Sequence, residues 1–235
     1  MATTVLAIAD QTSPLLYEYF RPERWRHIDL VLSCGDLPPE YLDLLTTSLG
    51  VPVLYVRGNH DARYPRQLYD GSENMHGQVR SVCGIRVAGF EGCRRYNQGA
   101  CQYTEAQMRR LVHRSQRESL RFGPPDIILT HAPPAGYHDR EDPCHRGFEC
   151  FLEAIDRWQP AYFIHGHTHA YDGADAPITI GQTIVINAFP YVELTLDMQK
   201  RMVVEGGTSA PISRARSIYQ SITQIVSGSG VAARP

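Results

Sequence analysis

Asp10, Asp36, Asn59, His60, His131, His167 and His169 are the residues of this chain whose types and placement suit chemistry. Each closes a short apolar run. Val5–Ala9 leads into Asp10, Ile28–Cys34 into Gly35-Asp36, and Val51–Arg57 into Gly58-Asn59-His60-Asp61. Asp126–Thr130 leads into His131, and Ala161–His165 into Gly166-His167-Thr168-His169. Taken singly, an acid or amide after such a run is an ordinary turn former, and His131 before Ala-Pro-Pro is a satisfied loop histidine. Taken together, one hypothesis covers all of them. Carboxylate, amide and imidazole without thiolate is a donor mixture for hard to borderline cations such as Mn²⁺, Fe and Zn²⁺. His165 ends its run one residue before Gly166 and reads as a histidine behind the ligands, holding one of them in place.

The elements that must position these groups follow from the same pattern. Short apolar runs bounded by turn residues are buried strands, and in open α/β sheets ligands gather beyond the carboxyl ends of strands. Seven side chains from five strand ends therefore meet on one rim. Ile85–Phe90 adds a further strand, and residues 62–83 read as irregular. Pro14 opens a short helix over Leu15–Phe20, and Pro38 or Pro39 opens another reaching about Ser48. Thr104-Glu105-Ala106-Gln107 is a capping box, with Tyr103 and Met108 spaced as a hydrophobic staple, and starts a helix to about Leu120. Phe148–Trp158 is a helix. The remainder turns to strands, Ile178–Ile180, Thr183–Asn187, Tyr191–Leu196 and Arg201–Glu205, read as a second sheet packed on the first. Gly206-Gly207 opens a polar tail with a short helical stretch over Ile212–Val226, so the division is a domain over 1–205 and a tail over 206–235.

The ordered blocks resemble the calcineurin-like metallophosphoesterase superfamily, whose signature runs D-x-H, G-D, G-N-H-[DE], H, G-H-x-H. Four blocks are present in order: Gly35-Asp36, Gly58-Asn59-His60-Asp61, His131, and Gly166-His167-Thr168-His169. The first is half present, since Asp10-Gln11-Thr12 has threonine where the second ligand belongs. The resemblance spans about residues 4–196. It implies an α/β fold, a four-layer sandwich of two mixed β-sheets flanked by helices. It implies two divalent metal ions (Mn, Fe or Zn, with Mn first) bridged by Asp36. Asn59, His131 and His167 complete one site; Asp10 and His169 belong to the other, weakened by Thr12. It also implies metal-dependent hydrolysis of phosphate esters by a metal-activated hydroxide, with His60 protonating the departing oxygen. In protein-phosphatase relatives an acid stands at the place of Pro39 and orients that histidine; proline cannot.

Composition narrows the rest. The chain has 235 residues, 43% hydrophobic and 20% charged, enough for one full domain. A formal charge of -2 argues against a dedicated nucleic-acid binder. No apolar run reaches membrane-spanning length, and the N-terminus reads as a strand rather than a signal peptide, which makes the cytoplasm the expected location. None of the six cysteines forms a C-x-x-C pair, and all are expected as free thiols. His165-x-His167-x-His169 superficially matches a metallo-β-lactamase zinc motif, but no acid follows and position 170 is alanine. The expected substrate is a small phosphodiester or nucleotide, because the chain has little beyond a core domain to dock a protein. Arg95, within Arg94-Arg95-Tyr96, and His145, in the loop after His131, are candidate substrate contacts. The alternative function is a metal- or nucleotide-binding regulatory protein with weak or no turnover. The sequence leaves oligomeric state open.

Overall fold

The computed structural model describes residues 2–69, 71–169, 176–197 and 202–203. Strands β1 (Thr3–Ile8), β2 (Leu30–Ser33), β3 (Val53–Tyr55) and β4 (Glu73–Asn74) pair in parallel. β5 (Gln78–Val82) and β6 (Ile85–Phe90) form a hairpin, β7 (Cys93–Arg94) pairs with β8 (Gln102–Tyr103), and β9 (Ile127–Thr130) runs parallel to β6. β10 (Tyr162–His165), β11 (Ile178–Ile180), β12 (Thr183–Asn187), β13 (Tyr191–Asp197) and β14 (Met202–Val203) complete the order. Two mixed six-stranded sheets result, β14-β13-β1-β2-β3-β4 and β11-β12-β10-β9-β6-β5.

Alternation along the strands explains the layering. In β1 and the residue after it, Val5, Ala7 and Ala9 face the second sheet, joining Val87, Ile127, Leu129 and Ile164 in one core. Leu6 and Ile8 face the other way, onto Tyr41, Leu42 and Leu45 of α1 (Pro39–Leu49). On the far face of the second sheet, Phe90, Ile128 and Phe163 meet Met108 and Val112 of α2 (Glu105–Phe122) and Phe151 and Trp158 of α3 (Glu149–Trp158). Strands covered on both faces must be apolar throughout, which is why these runs lack polar alternation. The molecule is the expected helix–sheet–sheet–helix sandwich. The capping box is formed: the Gln107 amide donates to the Thr104 hydroxyl (3.3 Å) and the Thr104 amide to the Gln107 side chain (2.9 Å).

Three expectations are corrected. The helix over Leu15–Phe20 is replaced by two 3-10 turns, Pro14–Leu16 and Pro22–Trp25. Tyr17 leaves helical geometry with φ of -131° and ψ of -76°, which ends the first turn, and Arg21 is extended before Pro22. The stretch 62–83 contains β4 and β5, and Cys83-Gly84 is a two-residue hairpin turn with φ of 51° and 76°. The last strands do not make a sheet of their own. β11 and β12 extend one sheet, whereas β13 returns antiparallel to β1 in the other. The expected strand Arg201–Glu205 is seen as Met202–Val203; its remaining residues, the tail and the helical stretch within it lie outside the described residues. Among the described residues no helix is long and apolar enough to cross a membrane.

Candidate metal centre

The carboxyl ends of the parallel strands of both sheets meet at one rim, and the candidate residues sit on the turns that leave them. Asp10 and Asp36 follow β1 and β2, Asn59 and His60 follow β3, His131 follows β9, and His167 and His169 follow β10. The turns are tight enough to carry strain. Asp10, Asp36 and His167 adopt φ of 63°, 58° and 68°. A non-glycine residue in this region costs on the order of 1–3 kcal/mol, a cost met at functional sites where the surroundings over-determine the conformation.

Hydrogen bonds across and within the two sheets over-determine it here. His131 Nδ1 donates to the carbonyl of Cys34 at the end of β2 (2.8 Å). The amide of His167 donates to Asp10 Oδ2 (2.8 Å), and that of His60 to Asp36 Oδ1 (2.8 Å). Committing Nδ1 of His131 turns its Nε2 toward Asp36 Oδ2 at 3.4 Å and Asn59 Oδ1 at 3.1 Å. His167 Nε2 donates to the Cys144 carbonyl (2.8 Å), which leaves its lone pair on Nδ1. One donor atom each from Asp36, His131 and His167 lie within 4.8 Å of one another. On the neighbouring side, His169 Nε2 stands 3.8 Å from Asp10 Oδ1, its ring stacked on Phe189.

Electrostatics follow from crowding. Burial opposes charge on both Asp36 and His131, yet their mutual attraction outweighs it, holding the carboxyl below and the imidazole above their ordinary ranges. Burial, then the neighbouring His131, lowers His167 to about 3 and keeps that ring neutral. Asp61 is pushed up to about 6 by burial and then by the Asp36 charge, despite the amides of Gly58 (2.8 Å) and Asp36 (2.7 Å) that it accepts.

These residues fit divalent ions on the structure's own terms. Asp10 Oδ1 is buried without a hydrogen-bond partner, an expensive arrangement for a carboxylate unless a cation faces it. Gly58 leaves a cradle: a Cβ there would lie 2.1 Å from Asp36 Oδ1 and 2.7 Å from His131 Cε1. The donors are oxygen and imidazole, the mixture for Mn²⁺, Fe or Zn²⁺.

The structure also gives places to residues whose parts the sequence left open. Asp61 faces away from His60 and braces the two loops that carry Asp36 and Asn59. The Asn59 amide group donates to the Tyr96 hydroxyl (3.4 Å), so it is the tyrosine of Arg94-Arg95-Tyr96 that reaches the rim. Arg95 donates to the Gln102 carbonyl (3.4 Å), and Arg94 pairs with Glu105 over the Phe148 ring. The ring of His145 lies 4.9 Å from that of His167. His165 is fully buried, its Nε2 2.9 Å from His138 Nδ1. All six cysteines are free thiols.

The family model described as calcineurin-like phosphoesterase matches residues 10–171, and the chain belongs to that family. A Caenorhabditis elegans protein, UPF0046 protein K07C11.7, is 38% identical over 63 residues, 27% of this chain and 21% of its own length. The chain thus matches about a fifth of the length of that curated relative. The crystal structure of TT1561 of Thermus thermophilus superimposes with a TM-score of 0.64 at 17% identity, covering 88% of this chain and 99% of that one. The likeness supports the shared fold.

Proposed function

We propose that the chain hydrolyses a phosphate ester, a small phosphodiester or nucleotide, with two divalent metal ions, Mn²⁺ foremost. Asp36, Asn59, His131 and His167 would hold one ion, Asp10 and His169 the other, with Asp36 shared. The observation that carries this reading is the meeting of Asp36, His131 and His167 donors within 4.8 Å across two sheets. When bound, such ions supply an activated water nucleophile and take up charge on the phosphoryl oxygens.

The chain's own residues do the rest. Tyr96 accepts from the Asn59 amide, and Asn59 Oδ1 points toward His131 Nε2, where it would help hold an ion. The Cys34 and Cys144 carbonyls fix the tautomers of His131 and His167, leaving one lone pair on each for a ligand bond. His60 is exposed at the rim, and its amide is tied to Asp36. Imidazole is the side-chain type suited to donating a proton to a departing alkoxide. Asp61 is turned toward the Asp36 and Gly58 amides, so His60 is placed by backbone rather than by a carboxylate partner.

The test uses two leaving groups. An alkoxide needs the proton in the transition state; a nitrophenolate scarcely does. His60→Ala should slow alkyl phosphodiesters by up to about 10²–10⁴-fold and nitrophenyl esters much less, with metal content near wild type. Equal losses for both leaving groups would remove His60 as the acid. Thr12, in place of a ligand histidine, favours the second reading, a metal- or nucleotide-binding protein with little turnover. That reading wins if the fully metallated chain hydrolyses neither mono- nor diesters.

A further inference from the structure

We propose that Cys144, His145 and His167 form a separate binding site for a soft divalent cation such as Zn²⁺ or Cd²⁺, competing with the hydrolytic centre for His167. One donor atom each from these three residues lie within 4.8 Å of one another, and His167 belongs to both this triad and the Asp36–His131–His167 triad. A thiol with two imidazoles is the donor set of zinc-type sites and not of Mn²⁺ sites.

The loop that brings the two new donors is built to hold them. It is closed at its base by the amide of Ala135 on the Phe148 carbonyl (3.1 Å) and that of Phe148 on the Pro133 carbonyl (3.2 Å). Inside it, Asp142 Oδ1 accepts the amides of both Cys144 and His145 at 3.1 Å. The same carboxylate lies 2.9 Å from His145 Nδ1. A donor Nδ1–H there fixes the tautomer with the lone pair on Nε2, as carboxylates do behind zinc-ligating histidines. Asp139 accepts the Gly147 amide (3.0 Å) and pins the loop's far side. Cys144 and His145 are partly exposed and His167 is buried, so an ion can enter from solvent and end against the rim.

Competition follows from the tautomer of His167. Its Nε2 is committed to the Cys144 carbonyl, so it has one lone pair and serves one ion at a time. On binding, the Cys144 thiol releases its proton to solvent and the thiolate bonds the cation; no electrons move. Fourth-position water completes the shell. The competition rests on the proposed hydrolytic centre; the thiolate site does not.

The experiment titrates the metal-stripped full chain with Cd²⁺ alone and reads the thiolate-to-cadmium charge-transfer absorption in the ultraviolet. One equivalent should produce the band. C144S and C144A, checked for wild-type circular dichroism, should lose it. D142N should weaken Cd²⁺ binding about 10–100-fold, the usual cost of losing such a carboxylate partner. C83S, at an exposed thiol that faces the Asp29 carbonyl, and D36N should keep it. A band that survives in both Cys144 variants, or that disappears in D36N, overturns the proposal; the latter would make the thiolate a fifth donor of the hydrolytic centre. In the Mn²⁺-loaded wild type, Cd²⁺ should release Mn²⁺, read by electron paramagnetic resonance, and should not do so in C144S. Failure to load Mn²⁺ at all, with the cadmium band intact, would sink the hydrolytic reading and leave the soft-metal site standing.

Discussion

Asp10, Asp36 and His167 share a left-handed backbone, and each delivers a side chain from a strand end into the rim. Singly each of those side chains is an ordinary turn or loop residue; they are legible in the sequence because their order after successive strands adds information that no single residue carries. The parts played by three contributors are not legible there. Asp61 lies next to His60 in the chain, but its carboxylate turns to the Asp36 and Gly58 amides. Tyr96 and Cys144 sit on loops whose path depends on tertiary bonds, so no periodicity marks them. Thr12 is the residue where chemistry and family pattern disagree. A neutral hydroxyl is a poorer ligand than imidazole, so the ion beside Asp10 and His169 should be the weaker one. Thr12→His should tighten that ion by about tenfold, equivalent to about 1.4 kcal/mol, in a calorimetric Mn²⁺ titration. Unchanged affinities for both ions would show that position 12 takes no part in binding.

At the scale of elements, the sequence marks strands that are apolar on both faces and helices with chemical start signals. The Thr104 capping box is one such signal, because both its hydrogen bonds are local. What depends on partners elsewhere is not marked. β5 shows only Val79 buried between more open neighbours, so its pattern is that of an edge strand. The Cys83-Gly84 turn is its one local marker. β13 has the composition of any late strand, yet it inserts beside β1, and register rather than composition decides that place. The turns after β2 and β3 form a unit joined through Asp61, with Arg57 donating to the Asp61 carbonyl. Asp61→Ala would leave the Gly58 and Asp36 amides unpaired, each costing about 1–3 kcal/mol. Asp61→Asn keeps an acceptor in place. Urea unfolding should therefore show a large loss for alanine and a small one for asparagine; equal losses would mean that the two amides do not depend on this acceptor.

For the whole molecule, function depends on two sheets whose parallel strands end at the same rim. Neither sheet alone carries the donors: Asp10, Asp36 and Asn59 come from one, His131, His167 and His169 from the other. Among the described residues, the three apolar clusters that hold the sheets and helices together reach as far as Leu196. Truncation after Glu205 should therefore leave a folded chain that binds metal, measured by thermal melting and metal analysis; an insoluble or metal-free product would assign residues 206–235 a structural part. In the proposed function Asp36 joins both sheets' donors into one hydrolytic metal centre. Its most direct test is the Mn²⁺-dependent hydrolysis of a phosphodiester by the full chain, measured with metal content for wild type and Asp36→Asn side by side. Turnover that chelation abolishes and Mn²⁺ restores is expected, with both activity and bound Mn²⁺ falling sharply in the variant. Metal content and activity unchanged by Asp36→Asn would contradict it.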